Sequence, residues 1–130
     1  MQHSVKSIGQ IAITVSHVES ALLFYRDILG LSLLFSASPN LAFLSDGQLR
    51  IMLTTPQGAG VVGANSILYF TVDDIEATHT ALLARGATPE RAPKLAATLP
   101  DHQLWLGFVR DPDGNLVGLM EQKPLQKPLQ

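Results

Sequence analysis

The sequence contains no cysteine. Disulfides, thiolate metal sites and a cysteine nucleophile are therefore excluded. Charge is sparse as well: Asp, Glu, Lys and Arg make up 15% of the chain, and the formal net charge is -2. The basic residues are scattered, apart from Lys123 and Lys127 near the C-terminus. Nucleic-acid binders carry a clustered basic patch, so no nucleic-acid partner is expected. No apolar run is long enough to span a bilayer, so no membrane partner is expected. Residues 1–6 lack the apolar segment of a signal peptide, which makes cytoplasm the expected location.

Apolar side chains, by contrast, are plentiful, at 46% of 130 residues. That is enough to bury a core in a chain of ordinary domain size. The core-forming segments come in two rounds. In the first, Gln10-Ile11-Ala12-Ile13-Thr14-Val15 is rich in β-branched residues and predicts a strand. Ser16-His17-Val18-Glu19 follows as a capping box, with Ser16 as the cap. Val18, Ala21, Leu22, Tyr25 and Leu29 then recur at helical spacing, and Gly30 supplies the stop. Strands are expected over residues 31–36, 40–44 and 48–54, the last two joined by Ser45-Asp46-Gly47.

The second round repeats this plan. Ile67-Leu68-Tyr69-Phe70-Thr71-Val72 reads as a strand, and Asp73-Asp74-Ile75-Glu76 as a helix start. Ile75, His79, Leu82 and Leu83 share a helical face, and Gly86 ends the helix. Residues 104–109 and 116–121 read as strands around the turn Asp111-Pro112-Asp113-Gly114. Residues 88–100 contain three prolines and are expected to hold one short strand and a loop. The rounds align, Val15 with Val72 and Gly30 with Gly86, which marks an internal repeat. The reading is an α+β domain over residues 1–122, built of two βαβββ modules. These cover about residues 5–55 and 65–122, with a Gly-rich linker at 56–64. Residues 123–130, with their repeated Lys-Pro-Leu-Gln, are expected to form a flexible tail.

Four motifs carry a family resemblance: Ile11-Ala12-Ile13-Thr14-Val15, Phe24-Tyr25-Arg26-Asp27-Ile28-Leu29-Gly30-Leu31, Val72-Asp73-Asp74-Ile75 and Arg110-Asp111-Pro112-Asp113-Gly114-Asn115-Leu116. Together they resemble the vicinal oxygen chelate superfamily, the glyoxalase, bleomycin-resistance and extradiol-dioxygenase group. The resemblance implies a mixed sheet curled around a cleft, with helices on the outer face, and a homodimer. It also implies a divalent metal in the enzymes, held by His, Gln or Glu from the first and last strand of each half. The matching positions here are Gln10, Met52, Ile67 and Gly118. Only Gln10 offers a suitable donor. Met52 offers a soft thioether, and Ile67 and Gly118 offer none. No metal and no cofactor are therefore expected.

Strand alternation puts Gln10, Ala12 and Thr14 on one face, Arg50, Met52 and Thr54 on another, and Ile67, Tyr69 and Thr71 on a third. These either line a ligand cleft or simply fill the sheet interior. Gln10, Arg50, Met52, Tyr69 and Trp105 are the candidate ligand-binding residues. Tyr69 and Trp105 stack on a flat ligand in one reading and are core aromatics in the other. Arg50 either neutralises an acid group or lies exposed on a strand. His102 is the candidate catalytic residue, as a general base or ligand-orienting group; the alternative is a surface-loop histidine. No nucleophile elbow or phosphate loop is legible.

The expected function is binding or sequestration of a small apolar or aromatic molecule without the usual metal site. The alternatives are an enzyme of lyase, isomerase or dioxygenase type with an atypical or metal-free site, and a structural dimer with a vestigial cleft.

Overall fold

The computed structural model describes residues 3–58 and 60–125. Ala59 of the expected linker and residues 126–130 of the expected tail lie outside the described residues. The chain divides into two units, Met1–Asn65 and Ser66–Gln130. Each is a βαβββ module with a four-stranded mixed sheet, so the α+β reading holds.

In the first unit, β1 (Gln10–Thr14) runs parallel to β4 (Arg50–Thr54). Antiparallel β3 (Leu41–Ser45) and β2 (Ser32–Ser38) complete the order β1-β4-β3-β2. Between β1 and β2 the chain forms α1 (Val18–Leu22), then a π-helical segment, Leu23–Ile28. In that segment the Leu29 N–H donates to the Phe24 carbonyl, five residues back, at 2.9 Å. The wider turn lets two adjacent aromatics, Phe24 and Tyr25, both turn inward, with ring centroids 4.9 Å apart and edge to face. Helical periodicity in the sequence selects Tyr25 and leaves Phe24 out. Ile13, Val15, Ala42, Leu44, Ile51 and Leu53 form the core on this helix side of the sheet.

The helix starts one residue later than the capping box implies. Its cap residue is His17, which makes no side-chain cap bond. The edge strand β1 is completed from within its own unit by Asn65. The Asn65 side-chain amide accepts from the Thr14 N–H and donates to the Thr14 carbonyl, each at 3.1 Å. One amide side chain thus stands in for a missing neighbouring strand.

The second unit repeats the order as β5-β8-β7-β6. Its elements are β5 (Leu68–Thr71), α2 (Ile75–Ala84), β6 (Thr88–Thr98), β7 (His102–Arg110) and β8 (Leu116–Pro124). Ile75, Leu82, Val109, Val117 and Leu119 are buried between helix and sheet. Asp74, not Asp73, caps α2 by accepting from the Ala77 N–H at 3.1 Å. The Ile75 N–H is taken by the Glu121 carboxylate of β8, at 2.9 Å. Glu76 does not close a capping box; it pairs with Lys123 at 2.7 Å.

Two sequence expectations change here. Residues 88–100 do not hold a short strand and a loop, because β6 runs for 11 residues. It is an edge strand, and register shifts interrupt its pairing with β7. Proline has no N–H to contribute to a ladder, so Pro89 and Pro93 fit an edge strand with bulges and no central one. The tail also begins later than residue 123, since β8 continues through Lys123 to Pro124. Register explains this: Gln103 and His102 of β7 pair with Lys123 and Pro124.

Candidate functional site

In each unit one face of the sheet carries the helix and the other does not. On the helix-free face, strand register sets side chains in rows. In the first unit one row reads Ala12, Met52, Phe43, Phe35, and the adjacent row begins with Gln10 and Arg50. In the second unit the matching row reads Tyr69, Gly118, Phe108, Arg91.

The first row is apolar. The rings of Phe35 and Phe43 lie 4.8 Å apart, and Phe35 is 50% exposed. Beside it, Arg50 Nε donates to Gln10 Oε1 at 2.9 Å, and its guanidinium sits 4.9 Å from the Phe43 ring centre. Gln10 Nε2 in turn lies 3.8 Å from Met52 Sδ. Gln10, Arg50 and Met52, three of the expected site residues, are thus one cluster.

The second row is aromatic at its centre. Tyr69 meets Phe108 edge to face at 5.7 Å. Phe108 is buried, whereas Tyr69 remains 45% exposed. The Tyr69 ring lies across the backbone of Gly118. A Cβ on Gly118 would stand 2.5 Å from Tyr69 Cδ2. Gly118 therefore keeps space for a ring, since its backbone has no positive φ that calls for glycine. Around this row is a hollow of about 360 Å³, lined by Tyr69, Arg91, Lys94, Leu95, Leu106 and Phe108.

Trp105 is not in that hollow. It pairs in register with Glu121, and alternation along β7 puts it on the helix face with Val109. The Lys123 ammonium lies 4.3 Å over its ring, and Lys123 is itself bound to Glu76 at the start of α2. The hydrogen bond from Lys123 holds the Glu76 carboxylate below its ordinary range and raises the Lys123 ammonium. The structure therefore separates Trp105 from Tyr69 by the thickness of the sheet.

His102 shares the face of Phe108 by alternation, with no register shift between them. It lies six residues along the strand, a span of about 20 Å. Its Nδ1 contacts Asp101 Oδ1 at 2.8 Å. His102 is thus brought into a local pair with Asp101 and not onto the aromatic row.

Phe43, Phe108, Leu106, Arg91 and Lys94 do not appear among the sequence candidates. Alternation along β7, the same rule that places Tyr69, also selects Leu106 and Phe108. Arg91 and Lys94 escape it because their strand is interrupted by bulges.

The paired βαβββ architecture defines a class of proteins built from two copies of one module. The chain belongs to the Glyoxalase/Bleomycin resistance protein/Dioxygenase superfamily, whose family model matches residues 7–119. Among solved structures it is similar to a lactoylglutathione lyase from Agrobacterium tumefaciens, with 23% identity and a TM-score of 0.75 over 91% of this chain and 95% of that one. It is also similar to TnmS3, an antibiotic binding protein from Streptomyces sp. CB03234. That match has 24% identity and a TM-score of 0.72, over 93% of this chain and 100% of that one. A superfamily member from Sphaerobacter thermophilus matches with 24% identity and a TM-score of 0.74, over 90% of this chain and 98% of that one. No curated protein matches the chain.

The residues at the implied metal positions do not fit a divalent ion. The Gln10 oxygen already accepts from Arg50, whose positive charge opposes a cation beside it. Met52 presents a thioether, Ile67 has no donor atom, and Gly118 lies beneath the Tyr69 ring. Asp74, Glu76 and Glu121 do gather their carboxylate oxygens within 4.8 Å of one another. Each is engaged in the start of α2, by Ala77 N–H, Lys123 and Ile75 N–H respectively. That arrangement complements the positive end of a helix. Among the described residues, no helix is long and apolar enough to cross a membrane.

Proposed function

We propose that this protein binds and sequesters a small apolar or aromatic molecule, without the metal that enzymes of its superfamily use. One observation carries the reading: at Gly118 an exposed aromatic ring, Tyr69, occupies the space where a metal ligand's side chain would be. The fold does not choose, since both a lyase and an antibiotic-binding protein share it. The chemistry of the rows supports binding. A mainly apolar wall with a few polar groups suits ligand binding. Tyr69 supplies a rigid stacking surface, Met52 an adaptable one, and Gln10 and Arg50 orient polar groups.

The test combines elemental analysis with a thermal-shift screen of aromatic metabolites and antibiotics. The purified protein is expected to carry no stoichiometric Zn, Mn, Fe or Ni, and a bound compound raises the melting temperature. Tyr69→Ala and Met52→Ala each weaken a confirmed ligand by on the order of 1–3 kcal/mol, about 5- to 150-fold. One metal per chain, lost on Gln10→Ala, overturns the proposal. The Asp101–His102 pair supports a second reading, a metal-free enzyme with His102 as base; turnover abolished by His102→Ala establishes it.

The proposal takes the protein as a cytoplasmic homodimer. Exposed apolar side chains on the edge strand β2 support an assembled state. Light scattering at micromolar concentration reads twice the chain mass if this is right, and the single-chain mass if it is wrong.

A further inference from the structure

Arg91 and Lys94 are three residues apart on β6. In a regular strand that spacing points two side chains to opposite faces. Here the register jumps between them. Arg91 pairs with Phe108 and Lys94 with Leu106, so three steps along β6 match only two along β7. Phe108 and Leu106 share a face, and the extra residue therefore turns Lys94 onto the face of Arg91. Both cations then line the hollow with Tyr69 and Leu106.

The irregularity is held in place. Pro93, inside it, packs on Gly107 of β7, where an added Cβ would meet Pro93 Cγ at 3.3 Å. Proline forfeits no ladder hydrogen bond at a bulge, and Gly107 leaves room for its ring. Arg91 is fixed from below, its guanidinium 5.1 Å over the buried Phe108 ring. Its neighbour Glu90 hydrogen-bonds Arg110, through two bonds of 3.0 and 3.1 Å, and feels Arg91 only as the smallest contribution, through charge. Among the described residues, neither Arg91 nor Lys94 forms a salt bridge.

We propose that Arg91 and Lys94 form an anion subsite in this hollow, and that the ligand is a flat aromatic or apolar body bearing one acid group. The body rests on the exposed Tyr69 ring and Leu106. The acid group meets the planar fork of Arg91, which suits a carboxylate or phosphate, while Lys94 adds a second positive charge. This rests on the reading of the helix-free face as a ligand site.

The experiment separates the two ideas with a matched pair of probes, a naphthoate and the corresponding naphthylmethanol. They share a ring system and differ in charge. Calorimetric titration of the full chain is expected to show the acid binding about tenfold tighter than the alcohol at low salt, a margin that shrinks as salt rises. In the Arg91→Gln/Lys94→Gln double variant the acid loses its margin and binds no tighter than the alcohol. Both side chains are exposed, and an unchanged melting temperature verifies the variant's fold. If acid and alcohol bind wild type equally, the anion subsite is wrong and the apolar ligand face stands. If the double variant keeps the full preference for the acid, the two cations only protect an edge strand, and the proposal is overturned. If neither probe binds, the ligand-face reading fails, and the subsite with it.

Discussion

Replacing Gly118 by alanine probes the contact on which the proposed ligand site depends. The added Cβ would lie 2.5 Å from Tyr69 Cδ2, 2.9 Å from Cε2 and 3.0 Å from Cγ. Atoms near the root of the ring are involved, so the tip cannot simply bend away. The ring must leave its position. Doing so sacrifices the edge-to-face contact with Phe108, worth about 0.5–1.5 kcal/mol. An off-rotamer side chain adds a cost of order 0.5–1.5 kcal/mol. Against this, alanine is favoured over glycine within a strand by roughly 0.5–1 kcal/mol. Gly118→Ala should therefore destabilise the protein by about 1 kcal/mol. In a Tyr69→Ala background the clash is gone, and the same substitution should stabilise by roughly 0.5 kcal/mol. Urea unfolding of the four proteins forms a double-mutant cycle, and the expected result is a change of sign. Equal effects of Gly118→Ala in both backgrounds would refute the assignment of Gly118 to ring clearance.

Two further substitutions test the second unit. His79 is buried in α2, and its Nε2 has no hydrogen-bond partner among the described residues. His79→Leu keeps the volume and removes that cost, so the denaturation midpoint should rise, by roughly 1–2 kcal/mol in stability; a fall shows that the imidazole is engaged. Glu90 is held below its ordinary value of 4.5, first by the hydrogen bond from Arg110, then by its charge. A lowered carboxylate stabilises above its unfolded value, and that contribution is lost as pH falls through the folded one. Wild type should therefore melt slightly above Glu90→Gln at neutral pH, with the gap closing as pH drops below 4.5. A gap that widens with acid contradicts the pairing.

The elements legible in the sequence are those set by local rules. The glycine stops at Gly30 and Gly86 adopt φ of 90° and 106°, and the turn at Gly114 a φ of 85°. Alternation places Arg50 with Met52 on one face of β4 and Gln10 with Ala12 on one face of β1, and the register between the two regular strands brings these faces together. The failures share a different cause: each depends on a partner distant in sequence. Glu121 accepts the Ile75 N–H at the start of α2 from 46 residues away. Asn65 completes β1 from 51 residues away. Trp105 lies on the face opposite Tyr69, which its residue type does not reveal. Its face is fixed by β8, and Lys123 covers it from a segment expected to be tail. The prolines of β6 suggest a loop because proline is read against central strands, and edge position is a property of the whole sheet.

The matching rows explain why the metal donors and the aromatic site are alternatives. In the first unit the small residue, Ala12, lies on the first strand, and the large one, Met52, beside it on the last. In the second unit the order is exchanged, with Tyr69 on the first strand and Gly118 on the last. Each row balances its volume across one strand pair, as a packed surface requires. At the Tyr69–Gly118 pair the ring lies over the position of the second side chain. A metal ligand at the last-strand position of the second unit thus needs Tyr69 to be reduced at the same time. Gly118→Glu alone would drive its Cβ into the ring. Loss of the donor and gain of the aromatic platform are therefore two descriptions of one steric choice. In the proposed function, the ligand is held by contact area and by the charges around it.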